Sequence, residues 1–455
     1  MRGSYCYSSS FKQIQLYTRA VVPDEPEERW QFPHTRSGLM ELDEFCWSLC
    51  IELIPTLDVS PRVAYHDLPD LYHSFQMYIS CFSHAKTIGI GPRLSSFLVD
   101  LPDDALPNTE DAYRLLSIPS TCTLQLCSFG ELVERIEQFP VNTVLAEYGF
   151  QADYDFEQRA TLYEENGVPF YVVPGTAAWN SLAGCPEATV GNVHAAVSSA
   201  ESHGALGMII SHWSGAANVT HLPFMWTGLL PAAGFAWNSN TDLGFVHRNL
   251  AELLNLHIFE DLGNTVGQVI VELGRAETYL IRCSRSQPGS DMSDLPSEKG
   301  STLYQFLSHP DEVSLDSLPS EAFTKTMRHI RKCQSEVQRC ELRCTEGLMI
   351  LEELQLTTDL MLAACRTGRS LAIAGKNPQA TDEHAGLNCV NMGVANLPPT
   401  TRTDVANRFL DLIETYRNVW LSRCLPVGLP ESLLVLSAML KQFVPNETSI
   451  VHPKH

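Results

Sequence analysis

Residues 142–173 read NTVLAEYGFQADYDFEQRATLYEENGVPFYVV. Asn142–Glu147 is a short apolar run of the length of a buried strand. Phe156, Ala160 and Tyr163 then recur at four and three residues, which puts them on one helix face, and Asn166-Gly167 is that helix's stop. Pro169–Val173 is a second apolar run. Strand, helix, strand in such a short span is a parallel crossover unit.

The same alternation extends outward in both directions. Towards the amino end lie strand candidates at Thr121–Cys127, Thr87–Ile90, Ile51–Leu57 and Gln13–Tyr17. Leu132 and Ile136 mark a short helix stopped by Pro140, and Leu39, Leu42, Phe45, Cys46 and Leu49 predict one helix face before Ile51. Towards the carboxyl end, Val190, Val193, Val197 and Ala200 predict a helix ended by His203-Gly204, and Leu206–Ser211 is a further strand. Seven strand candidates alternating with helices imply a parallel sheet covered by helices. That is one unit short of an eightfold (β/α)8 TIM-type barrel. A doubly wound open sheet fits the same pattern, and periodicity alone does not separate the two.

Ser284–Gly300 turns polar and rich in Pro, Gly and Ser, as a linker or surface loop does. Beyond it the chain reads as helix. Phe323, Met327, Ile330, Cys333, Val337, Cys340 and Cys344 hold a three-four spacing over six turns. A loop over Lys376–Thr403 precedes amphipathic helices at Val405–Arg423 and Glu431–Phe443. The expected organisation is a barrel at 11–283, a linker at 284–300 and an α-helical C-terminal region of three or four long helices at 301–445.

The chain has 455 residues, 44% of them apolar, enough for a sizeable core and against a mainly disordered chain. Its formal net charge of −22 repels phosphate backbones and anionic surfaces, so neither nucleic acid nor a membrane surface is an expected partner. No apolar run is long enough to span a bilayer, and the amino end shows no secretory h-region; the expected location is cytoplasmic. The fourteen cysteines include no Cys-x-x-Cys pair and read as free thiols, with no metal site or cofactor expected. Asn218-Val-Thr220 and Asn446-Glu-Thr448 match the glycosylation sequon by chance, and Gly89-Ile-Gly91 lacks the third glycine of a dinucleotide fingerprint.

Three strings are too specific for packing alone. They are Glu147-Tyr-Gly-Phe-Gln-Ala-Asp153-Tyr-Asp-Phe156, the run from Pro169 through Trp179-Asn180-Ser-Leu-Ala-Gly184, and His212-Trp213-Ser214-Gly215 continuing to Trp237-Asn238. They resemble the catalytic domain of glycoside hydrolase family 20, the β-N-acetylhexosaminidases, in its cytosolic-type branch with a long helical segment after the barrel. Gln13–Tyr17, Glu41–Pro55 and Tyr416–Leu429 also fit, so the resemblance covers most of the chain; residues 60–125 match least. It implies a (β/α)8 barrel acting on terminal N-acetylhexosamine glycans. The family's first strand would precede Gln13. Either that unit is missing or Met1–Ser10 supplies a substitute, and an open eighth position would expose two sheet edges.

Hydrolysis in that family is substrate-assisted, the sugar's 2-acetamido oxygen attacking the anomeric carbon. An Asp holds the acetamido group and an adjacent Glu is the general acid, both after the family's fourth strand. Here that strand reads Thr87-Ile-Gly-Ile-Gly-Pro-Arg-Leu-Ser-Ser96, with Pro92 and Arg93 where the pair belongs. Arginine cannot act as a general acid at its pKa. Pro61-Arg62 replaces the family's Gly-His after its third strand, and His212 replaces an Asp before Trp213.

The substitute acid expected from the resemblance is Glu147, at a strand end on the catalytic face. Asp100, Asp103 and Asp104 are weaker candidates and read equally as a solvated acidic loop. The expected binding residues are Tyr148, Asp153, Trp179, Asn180, His212, Trp213 and Trp237. The tryptophans are pocket walls or core filling. Asn180 bonds sugar hydroxyls or caps the next helix, and His212 is a pocket group or a satisfied structural histidine. Two functions remain open: a hexosaminidase with a relocated acid, or a non-catalytic descendant that binds sugar or protein.

Overall fold

The computed structural model describes residues 11–20, 32–60, 63–64, 68–99, 121–128, 133, 136, 139, 141–213, 218–285, 300–374, 393–394 and 397–444. Seven strands form one sheet: β1 (Gln13–Ala20), β2 (Glu52–Val59), β3 (Thr87–Ile90), β4 (Thr123–Ser128), β5 (Thr143–Tyr148), β6 (Phe170–Val173) and β7 (Gly207–Met208). Every neighbouring pair is parallel and the strand order is the chain order. A doubly wound sheet reverses its order at a switch point, so that alternative is excluded.

The sheet curls into a half-barrel. Gln15 of β1 donates its side-chain amide to Gln125 of β4 at 2.8 Å. Flat strands spaced about 4.8 Å apart would hold those two about 14 Å apart. Tyr17 of β1 also meets Trp213, just beyond β7, at 4.8 Å between ring centroids. The seven strands are those expected from the sequence, one short of a closed eightfold barrel: among the described residues β1 and β7 pair with β2 and β6 alone. Residues 1–10, offered as a substitute strand, lie outside the described residues.

Alternation sorts each strand into an inner and an outer face. Leu53, Leu57, Ile88, Leu124, Leu126, Leu145 and Val172 face outward into a core shared with the covering helices. Those helices include α1 (Arg36–Ser48), α2 (Leu68–Ile79), α3 (Pro92–Val99), α4 (Phe156–Glu165) and α5 (Pro186–Ser202). The inner face carries Gln15, Tyr17, Asp58 and Gln125, where barrels usually stack branched apolar residues.

Helix α4 buries Phe156, Ala160 and Tyr163 as expected and is followed by Gly167 at φ 63°. Helix α1 differs. It buries Leu39, Asp43 and Cys46, while Leu42 and Phe45 are exposed. Asp43 is accommodated there because Ser83 Oγ and the His84 N–H donate to it.

The C-terminal half adds α6 (Trp226–Trp237), α7 (Leu243–Leu254), α8 (Val266–Ser284), α9 (Thr302–Ser308), α10 (Ser320–Val337), α11 (Gly347–Ala374), α12 (Pro399–Arg423) and α13 (Leu429–Phe443). Phe323, Met327, Ile330, Cys333 and Val337 form the buried face of α10. That helix ends at Val337, so Cys340 and Cys344 fall beyond it. One continuous apolar cluster runs from Leu182 on the sheet side to Phe443 in α13. No described helix is long and apolar enough to cross a membrane.

Candidate functional site

The carboxyl ends of the strands bring five aromatic rings together. Trp213 lies 4.8 Å from Tyr17, 6.0 Å from Tyr148 and 6.4 Å from Phe150, and Phe150 lies 5.2 Å from Trp179. Tyr148 and Val173 share the inner face with Cys127 and Ala146. Trp179 approaches closely because position 175 is glycine: a Cβ there would stand 2.5 Å from the indole Cη2 and 2.9 Å from Phe150. Tyr17, Phe150, Trp179 and Trp213 remain partly exposed. The Trp213 indole N–H has no hydrogen-bond partner among the described residues.

His212 Nδ1 sits 2.8 Å from Thr176 Oγ1. Burial pushes its pKa down to about 4, so the ring is neutral at neutral pH. Thr176 is held in turn, since its carbonyl accepts from Thr189 and a Cβ on Gly228, early in α6, would touch its Cα at 2.9 Å.

The inner carboxylate at this end is Asp58. Its oxygens accept from Tyr17 Oη at 2.5 Å and from the Leu94 and Val59 N–H groups at 2.7 and 2.9 Å. Asp58 therefore closes the start of α3, and a Cβ on Gly91 would lie 2.6 Å from its own Cβ. Burial first, then the Asp58 charge, pushes the Tyr17 phenol above its usual range. Pro92 and Arg93, where the family's acid pair would stand, begin α3. The Arg93 guanidinium turns to the Val63 carbonyl at 2.9 Å and lies over the Phe97 ring.

Glu147 is 1% exposed, and its register neighbours are Ser128 and Val172 on the outer face of the sheet. Both its oxygens are taken by phenols, Oε1 by Tyr154 and Oε2 by Tyr163, whose oxygen also lies 3.1 Å from Ser128 Oγ. Burial and the Glu147 charge push both phenols above their usual range, so they stay donors. The carboxylate thus lies between sheet and α4, on the opposite face of β5 from Tyr148.

The other expected residues fall into two groups. Tyr148, Trp179, His212 and Trp213 gather at the mouth. Asp153 is exposed on the turn before α4. Asn180 gives its carbonyl to the Ser301 N–H at 2.8 Å. It does not cap the next helix, whose N-cap is Cys185. Trp237 ends α6 and is 82% exposed. Asp100, Asp103, Asp104, Pro61, Arg62, Ser214 and Gly215 lie outside the described residues.

Tyr17, Asp58, Phe150 and Thr176 belong to the mouth and were not singled out in the sequence. For Asp58 the signal was present, an acid one residue past the apolar run Ile51–Leu57. Among the described residues no group of His, Cys, Asp and Glu could hold a metal ion.

No protein-family model and no curated protein matches the chain. Among solved structures it is similar to a GH138 enzyme targeting pectin rhamnogalacturonan II, at 8% identity over 92% of this chain and 57% of that one, TM-score 0.46. It is also similar to a mutant of the Thermobaculum terrenum O-GlcNAc hydrolase, at 11% identity over 97% of this chain and 89% of that one, TM-score 0.40. The chain spans little more than half the length of the first. Likeness this loose transfers no residue role.

Proposed function

We propose that the chain is a glycan-binding protein of hexosaminidase type that recognises terminal N-acetylhexosamine at the aromatic mouth without efficiently hydrolysing it. The observation that carries the reading is the state of the two strand-end carboxylates. Asp58 is spent on the start of α3, and Glu147 faces the helices with both oxygens bonded to tyrosines. A general acid must reach the leaving oxygen within hydrogen-bond distance, and neither carboxylate is free on the inner face. The partly exposed rings of Trp179, Phe150, Tyr17 and Trp213 offer apolar surfaces on which a sugar face stacks. Half-buried, neutral His212 beside them supplies a polar contact that orients a ligand.

The test is calorimetric titration of the full chain with N-acetylglucosamine, N-acetylgalactosamine and glucose. Binding of the N-acetyl sugars that is lost in Trp179→Ala supports the reading. Equal or absent binding of all three overturns it.

A further inference from the structure

We propose that Glu277 is a positioning residue for the ligand site: from α8 it holds the Trp179–Gly184 loop in place and thereby governs how Trp179 is presented. This rests on the mouth being the glycan site.

The loop carries Trp179 at its start and has little regular structure of its own. Its backbone is anchored from behind instead. Glu277 Oε1 accepts from the Leu182 N–H at 2.7 Å and the Ala183 N–H at 3.3 Å. Beside these, the Asn180 carbonyl accepts from the Ser301 N–H at 2.8 Å, and the Ser181 carbonyl accepts from Thr220 at 2.5 Å. Glu277 is the ionisable member of this set, and it is fully buried.

Burial opposes its charge, while the two amides and the Ser301 hydroxyl favour it; the balance pushes the carboxyl up to about 7. Of the titratable groups facing it, α11 contributes the Cys365 thiol, itself pushed up by burial and then by Glu277. On the neighbouring elements the charges turn elsewhere: Glu187 of α5 to Arg275 and Thr278, and His329 of α10 to Glu272. A charge on Glu277 is therefore relieved chiefly by water, which reaches it when the loop lifts. A carboxyl raised from 4.5 to about 7 favours the closed loop at low pH, and that advantage is lost as pH rises through about 7.

The experiment compares the full chain with Glu277→Gln and Glu277→Leu by two readouts at pH 5.5 and pH 8. The first is hydrogen exchange of the Leu182 and Ala183 amides, corrected for the chemical exchange rate. The second is calorimetric affinity for N-acetylglucosamine. The expected wild-type result is weaker amide protection and about threefold or more weaker affinity at pH 8. Glu277→Gln keeps an acceptor oxygen without a charge and should be flat at the low-pH value in both readouts. Glu277→Leu should lose the amide protection at both pH values. A wild-type pH profile retained in Glu277→Gln, or unchanged amide protection in Glu277→Leu, overturns the proposal. If no sugar binds at any pH, the functional reading fails while the exchange readout still decides the role of Glu277.

Discussion

Replacing Glu147 by glutamine separates a structural carboxylate from a catalytic one. The change keeps the shape and one acceptor oxygen. It removes the charge that both phenols bond. Hydrogen bonds to a charged group contribute about 1.5–3 kcal/mol each, and neutral ones roughly half as much. Glutamine keeps one bond at the neutral value and sets an amide NH2 against the other phenol. The net loss is about 2–4 kcal/mol, taken from a site 1% exposed where water cannot compensate. Urea unfolding reads this as a lower midpoint at unchanged slope. Calorimetry on the same variant should return the wild-type sugar affinity, because Glu147 lies on the far side of β5 from the rings. Wild-type stability within about 0.5 kcal/mol, or an affinity that collapses while stability holds, would refute the placement.

Three further outcomes are expected. Gly175→Ala should displace the Trp179 ring, costing about 1–3 kcal/mol in stability and about tenfold in sugar affinity; urea unfolding and calorimetry check both. Arg423 reaches buried Glu353 at 2.6 and 2.8 Å and Glu346 at 2.9 Å, so Arg423→Met should destabilise by about 3–5 kcal/mol in chemical unfolding. His221 is buried, and burial, then the Arg423 charge, lowers its pKa from 6.5 to about 4. The folded state therefore favours the neutral ring. Its contribution is present above pH 6.5 and lost as pH falls through about 4, by about 3 kcal/mol. Stability measured against pH should flatten over that window in His221→Gln.

Most strands were legible because each is a short apolar run bounded by breakers. The same property hid the orientation of Glu147. Thr143–Tyr148 is buried on both faces, so no polar alternation marks which side Glu147 takes. Orientation came only with the register that aligns it with Ser128 and Val172. The aromatic mouth was readable in Trp179 and Trp213, which follow strand ends. Trp237 follows no strand end in the sequence, which left it open between pocket wall and core; it ends α6 on the surface. In α1 the apolar spacing pointed to Phe45, whereas the buried face takes Asp43, because two donors arrive from residues forty positions away. The end of α10 was overrun because Cys340 and Cys344 kept the helical spacing past the turn.

The central claim is recognition without efficient turnover at a mouth whose described strand-end carboxylates, Asp58 and Glu147, are bonded elsewhere. The most direct measurement takes one preparation and follows release of the aryl group from aryl N-acetyl-β-glucosaminide and -galactosaminide, alongside calorimetric binding of the free sugars. The account predicts saturable binding with turnover depressed at least about 10²-fold, the loss expected without a general acid. Turnover near about 10 s⁻¹, the ordinary enzyme value, would contradict it.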